Sequence, residues 1–99
     1  MGYMTEFNRV LKLKEEQGFP DALNEGASCN FRKLGKRIYP IGISVFLADS
    51  FWNVCASVVI KEFAVKDNET IGIFEVVRVF SGDEKEVLTK VMREMYVRM

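Results

Sequence analysis

The chain has 99 residues, enough for one hydrophobic core, so we expect a single domain spanning residues 1–99. Hydrophobic residues make up 48% of the chain and charged residues 28%, which is usual for a folded globule and excludes intrinsic disorder. The 14 basic residues balance 14 acidic ones and histidine is absent, which excludes a global attraction to nucleic acid and any serine–histidine or cysteine–histidine catalysis.

The sequence gives no sign of a membrane, metal or cofactor. It lacks the basic and apolar regions of a signal peptide, and no apolar run reaches the roughly 20 residues that span a bilayer, so we expect a cytoplasmic protein. Cys29 and Cys55 are far apart in the sequence and no histidine is available, so we expect no metal. No glycine-rich phosphate loop is present, and we expect no cofactor.

The N-terminal third predicts a strand and a short helix. We favour a strand over Val10–Lys14, although the apolar spacing that begins at Met4 also fits a helix. Pro20 suits the first turn of a short helix through Asp21–Glu25, and Gly26 suits the left-handed position after that helix.

The central residues predict a hairpin followed by longer strands. Segments Ser28–Lys33 and Lys36–Tyr39 flank Gly35, which can adopt the positive φ of a tight turn. A strand follows over residues 43–48, and the run Asn53–Val65 is long enough to be a bent strand shared around a barrel. After a polar turn, Ile71–Phe80 predicts the last strand.

The C-terminus predicts an amphipathic helix that begins at Gly82. Ser81 and Glu84 have the spacing of a capping box, and acidic residues favour the N-terminal end of a helix. The residues expected to pack on the sheet are Val87, Leu88, Val91, Met92, Met95 and Tyr96. The whole pattern predicts an α+β, mostly β fold, a small, partly open β-barrel with one short helix and a C-terminal amphipathic helix.

A run of cations around the predicted hairpin is the first candidate site. Its members are Arg32, Lys33, Lys36 and Arg37, and the neighbouring aromatic residues, Phe31 and Tyr39, could stack on bases. The alternative is a solvated hairpin whose charges protect a sheet edge from aggregation.

Charged residues in strand phase with apolar ones form the second candidate. Glu62 and Glu75 are expected to point toward apolar faces, and Arg78 could pair with Glu62 across neighbouring strands. The functional alternative is an acid or base beside Lys36 or Lys61, with Thr70 supplying a hydroxyl. A third candidate is the pair Phe51 and Trp52, which marks either a binding surface or a cover over the barrel end.

The sequence also resembles a known family. The segments that carry the resemblance are Glu25-Gly26, Phe31-Arg32-Lys33, Gly35-Lys36-Arg37-Ile38-Tyr39-Pro40 and Thr70-Ile71-Gly72-Ile73-Phe74-Glu75-Val76-Val77. They resemble a small uncharacterised bacterial domain-of-unknown-function family, and the layout is similar to that of PUA-like and ASCH domains.

The resemblance implies a function that involves nucleic acids or nucleosides. PUA-like domains often bind RNA, which favours a small binding module that contacts RNA through Arg32, Lys33, Lys36, Arg37 and Tyr39. Some ASCH proteins hydrolyse modified nucleosides with a lysine, a threonine and a glutamate, and the residues of those types here are Lys36, Thr70 and Glu75. A protein-interaction or self-associating module remains the third alternative.

Overall fold

The computed structural model describes residues 9–96, except for the side chain of Tyr96, so Met4 lies outside the described residues. Within this range one sheet of five strands precedes one α-helix. The strands are β1 (Val10–Lys12), β2 (Ser28–Leu34), β3 (Ser44–Ala48), β4 (Val54–Lys66) and β5 (Glu69–Val79), and the helix is α1 (Gly82–Tyr96). The predicted mostly β fold with a C-terminal helix is therefore confirmed.

The strands follow the order β1, β3, β4, β5, β2 across the sheet. β1 runs parallel to β3, whereas the other neighbouring pairs are antiparallel. The sheet curls into a half-barrel, so its two edge strands approach each other, and the Lys33 ammonium on β2 donates a hydrogen bond to the Lys12 carbonyl on β1. The gap between these edges is called the seam below.

Two irregularities interrupt the pairing of β4 with β5. The pairing shifts between Ser57 and Val58 and again between Ile60 and Glu62. The first shift leaves Val77 of β5 without a direct partner and the second leaves Lys61 of β4 without one, so on β4 only the side chains that follow Lys61 turn to the other face. Ile60 is therefore fully buried, whereas Glu62, two residues further along the strand, is exposed.

The core has two parts, on opposite faces of the sheet. The larger part fills the inside of the half-barrel and contains Leu11, Leu13, Phe31, Tyr39, Val45, Leu47, Ala56, Val58, Ile60, Phe74 and Val76. The smaller part joins α1 to the outer face through Val54, Phe80 and Met92. The helix therefore packs on the outside of the sheet rather than plugging its inner side.

Only part of the predicted helical stripe is buried. Leu88 and Met92 pack on the sheet, whereas Val87, Val91 and Met95 are exposed. The helix begins at Gly82 as predicted, but the capping box is absent, because the Glu84 carboxylate accepts hydrogen bonds from Arg78 at 2.5 and 2.8 Å instead.

Two local predictions are wrong. The short helix is a 3-10 turn at Glu15–Gln17 rather than a helix at Asp21–Glu25. The segment Lys36–Tyr39 is not a strand, because β2 pairs along its whole length with β5 and needs no hairpin partner. Gly35 does adopt the positive φ expected there, at 87°, but its amide donates to the Asn68 carbonyl in the β4–β5 turn.

Replacing Gly18 by alanine is expected to destabilise the protein more than replacing Gly26. Both glycines have positive φ, 109° and 86°, a conformation that costs an alanine about 1–2 kcal/mol. Only at Gly18 does the added Cβ collide with backbone, namely the Asn30 carbonyl oxygen of β2, which adds about 1–3 kcal/mol. Urea unfolding measures both losses, and equal losses would contradict the close packing of this turn on β2.

Candidate functional site

Four cations meet at the seam. Lys33 points into the half-barrel and is only 7% exposed, and the charges of Lys12, Lys14 and Arg37 act on it. Burial, and then repulsion by these three cations, lowers the pKa of Lys33 to about 8. The four residues Lys12, Lys14, Lys33 and Arg37 are called the basic cluster.

The loop after β2 is fixed in place by a buried hydroxyl. Thr70 is fully buried, and its Oγ1 accepts a hydrogen bond from the Arg37 amide at 2.9 Å and donates one to the Gly35 carbonyl at 2.8 Å. The hydroxyl therefore supplies a hydrogen-bond partner to the Arg37 amide and to the Gly35 carbonyl, which would otherwise need water. Thr70 thereby holds the backbone of Arg37 next to the seam.

The basic cluster has no acidic partner among the described residues. Three ion pairs join side chains in residues 9–96, and they are Arg32–Glu69 at 3.6 Å, Lys61–Glu75 at 3.7 Å and Arg78–Glu84 at 2.5 Å. None of them includes a member of the basic cluster or the exposed Lys36. Positive charge is therefore locally uncompensated at the seam although the chain as a whole is neutral.

The structure divides the predicted RNA-binding residues into two groups. Arg32 and Lys36 are exposed and Arg37 is half-buried, so these three can reach a ligand. Lys33 and Tyr39 lie in the interior instead. The Tyr39 ring is 1% exposed and packs edge-on against Phe31 and Phe63, and burial raises the pKa of its hydroxyl to about 12.

Sequence reasoning missed Lys12 and Lys14. They are about twenty residues from the cationic run, and only the approach of β1 to β2 brings them beside it. Lys12 also lies over the Trp52 ring, with its Nζ 4.6 Å from the ring centroid. The sequence does show lysine alternating with leucine in this segment, and the leucines are buried. That pattern alone does not predict that the segment lies at the edge of the sheet next to β2.

The structure does not bring the three candidate catalytic residues together. Thr70 and Glu75 lie five residues apart on β5, about 17 Å along the strand, and face opposite sides of the sheet. Glu75 pairs with Lys61, Thr70 is fully engaged with the loop, and Lys36 is exposed.

The expected pairing of Glu62 with Arg78 is wrong. The irregularity at Lys61 turns Glu62 to the outer face, and Arg78 pairs with Glu84 of α1. Glu75 also faces outward rather than toward the core, because the buried side chains of β5 are those of Thr70, Phe74 and Val76, in the opposite phase.

An open cleft of about 770 Å³ lies beside the seam. Residues of β2, β4 and β5 line it together with the 3-10 turn, and they are Glu16, Gln17, Gly18, Asn30, Phe31, Arg32, Glu62, Phe63, Ala64, Ile71, Gly72 and Ile73. Gly72 leaves space for the Phe31 ring, which an added Cβ would approach to 2.7 Å. Arg32 in its lining is the sequence neighbour of Lys33 of the basic cluster, although the two side chains point to opposite faces of β2. Its parts come from four separate segments, so no sequence motif marks it.

The aromatic pair at the β3–β4 turn is also divided. Phe51 is 74% exposed, whereas Trp52 is half-buried and packs on the smaller core. The Asp49 carboxylate accepts hydrogen bonds from the amides of Phe51 and Asn53, which holds this turn in shape. Trp52 therefore covers the region between α1 and the sheet, and Phe51 remains at the surface.

The described residues contain no group of three or more histidine, cysteine, aspartate or glutamate side chains that could hold a metal ion. Over the same residues, no helix combines the length and apolar character needed to cross a membrane.

The fold is similar to a solved structure. The crystal structure of protein ytmB from Bacillus subtilis, a structural genomics target, matches with a TM-score of 0.62 and 18% sequence identity. The match covers 84% of this chain and 99% of that one. The chain matches none of the protein-family models and no curated protein sequence. At this identity the match establishes the fold alone, and a barrel-like fold of this kind is compatible with a binding module.

Replacing Thr70 by valine is expected to lower the free energy of unfolding by about 1–3 kcal/mol, because the Arg37 amide and the Gly35 carbonyl lose their partner. Thr70→Ser keeps the hydroxyl and should cost less. Urea unfolding of both variants tests this, and a larger loss in the serine variant would contradict the assigned role.

The buried Lys33 gives stability a pH dependence. Its pKa falls from an ordinary 10.5 to about 8 in the folded protein, so the unfolded chain binds more protons between these values. The Lys33 contribution therefore makes the protein more stable as pH rises from about 8 to 10, by up to about 1.4 kcal/mol per pH unit. Lys33→Met should lack this contribution in urea unfolding at several pH values. Parallel pH profiles of the two proteins would contradict it.

Proposed function

We propose that the protein is a small binding module for single-stranded RNA. One observation carries the proposal, namely that Lys12, Lys14 and Arg37 converge on the buried Lys33 with no acidic partner among the described residues. Like charges held together repel one another, and a bound phosphate relieves that repulsion. The exposed Lys36 extends the same positive surface beyond the seam.

The zero net charge of the chain limits the distance over which the protein can attract RNA. Long-range steering is weak in a protein with no net charge, so attraction acts only close to the basic cluster. Each phosphate neutralised releases condensed counterions, and for single strands the logarithm of affinity falls by about 0.7 per contact and per tenfold rise in salt. A cluster of this size supports binding at low salt that weakens steeply as salt is added.

Two features favour a single strand over a duplex. The cleft beside the cluster has the size of a small-molecule site, which an unpaired base could enter but a paired base could not. Apolar side chains, including Ile71 and Ile73, contribute to its lining, which suits the face of a base.

The other two functions have less support. A hydrolase needs Lys36, Thr70 and Glu75 within reach of one substrate, and Thr70 and Glu75 face opposite sides of β5. Self-association could use the exposed apolar row of α1, but no contact in the structure indicates its partner.

Removing two cations of the cluster is expected to weaken RNA binding. In fluorescence anisotropy with a labelled single-stranded oligoribonucleotide, Lys14→Ala combined with Arg37→Ala should lower affinity at low salt by tenfold or more. Because two phosphate contacts are lost, the salt slope should also fall by about 1.4.

Lys85→Ala combined with Lys90→Ala is the matched control, because it removes the same charge from α1, where neither lysine makes a side-chain hydrogen bond or ion pair with another described residue. Equal losses in both double variants, or no binding by the unaltered protein at low salt, would overturn the proposal. Light scattering at the same protein concentrations separates RNA binding from self-association.

A further inference from the structure

The cleft differs in charge from the basic cluster beside it. Two carboxylates, Glu16 and Glu62, and one guanidinium, Arg32, line the cleft. Glu62 makes no hydrogen bond or ion pair with another described residue. Arg32 forms an ion pair with Glu69 in which Nε and Oε2 are 3.6 Å apart, and two-thirds of the Arg32 side chain is exposed. Excess negative charge repels phosphate, so this cleft suits a neutral group that presents N–H donors to a carboxylate.

The sheet sets the spacing of the two charged groups. Arg32 is opposite Ile71 on β5, and Glu62 is opposite Ile73 on the same strand. Arg32 and Glu62 thus lie on strands that flank β5, about 10 Å apart in the hydrogen-bonding direction. Between them Ile71 and Ile73 point to the same face and form an apolar floor.

This arrangement matches one nucleobase in particular. Guanine carries two acceptors, O6 and N7, at one end and N–H donors at N1 and N2 on its pairing edge. An arginine recognises the acceptors with two hydrogen bonds, and a carboxylate accepts from the donors, while the flat ring rests on apolar side chains. Adenine places an amino group where guanine has O6, which would leave the guanidinium facing a donor.

We infer that the cleft is a guanine-reading site, in which Arg32 donates to O6 and N7, Glu62 accepts from N1 and N2, and Ile71 and Ile73 support the ring. This inference rests on the proposed RNA binding, because the basic cluster holds the phosphates next to the base. The ion pair with Glu69 is exposed and weak, so Arg32 can turn to the base at little cost.

The test compares two labelled heptaribonucleotides, one with a single guanine and one with a single adenine at the centre of a uridine tract. We expect the unaltered protein to bind the guanine oligomer about tenfold more tightly in fluorescence anisotropy. Glu62→Gln should reduce this preference to less than threefold, because a glutamine amide has only one acceptor oxygen and its NH2 group would face one of the base's N–H donors. Glu86→Gln on α1 changes the net charge equally at an exposed position and should leave the preference intact.

The outcomes separate this inference from the proposed function. Equal binding of both oligomers that still depends on Lys14 and Arg37 overturns the guanine site and leaves RNA binding in place. Loss of preference in the Glu86→Gln control, or its retention in Glu62→Gln, also overturns the site. No binding of either oligomer at low salt overturns both. If an arginine-rich peptide binds instead and Glu62→Gln weakens it, the cleft is a protein site and the inference is wrong.

Discussion

The closure of the half-barrel at the seam is the contact on which the rest of the structure depends. A curled sheet of five strands leaves two edges with unpaired backbone groups, and β1 is too short to cover β2. Two contacts close the seam. Lys33, from the inside of β2, donates a hydrogen bond to the Lys12 carbonyl of β1, and Gly18 packs directly on the β2 backbone. A buried ammonium is costly, and the nearby cations raise that cost further. A residue of this kind is a poor choice for stability alone, which is why the seam is also the place to look for function.

The irregular strand β4 decides what lies beside the seam. A regular strand would carry the phase of Ala56, Val58 and Ile60 onward and bury Glu62. The inserted residue near Lys61 reverses that phase, which exposes Glu62 and turns Phe63 toward the inner core. The same bend lies where β4 extends beyond the end of β3, and the cleft forms along this part of β4 and the neighbouring strands β5 and β2. One backbone feature thus removes a carboxylate from the core and places it across from Arg32.

Local signals in the sequence predicted local structure well. The alternation in β1, β3 and β5, the length of β4 and the start of α1 at Gly82 all depend on neighbours within a few residues, and all are present. The failures have a common cause in pairing between distant segments. Gly35 looked like a hairpin turn, but β2 found its partner in β5, more than thirty residues away. Lys33 and Tyr39 looked like surface residues of that hairpin and became interior ones. Half of the site could be predicted from the sequence, because Arg32, Lys36 and Arg37 belong to one run of cations. The positions of Lys12, Lys14 and the cleft depend on the curl of the sheet, which no local pattern predicts.

In the proposed function the two parts of the site have complementary tasks, and the charge balance explains why both would be needed. A cluster of exposed cations binds any polyanion, and in a neutral protein it does so with short reach and little selectivity. The cleft alone repels phosphate, and its open shape gives a free base few contacts. Under the proposal, the cluster would hold the RNA backbone and raise the local concentration of the base, so modest contacts in the cleft would suffice for discrimination. With a pKa of about 8, Lys33 stays mostly protonated at neutral pH and keeps the cluster positive where it adjoins the acidic cleft. The change of sign between the basic cluster at the seam and Glu62, two strands away on the outer face, is therefore the feature on which the proposed reading of a base depends.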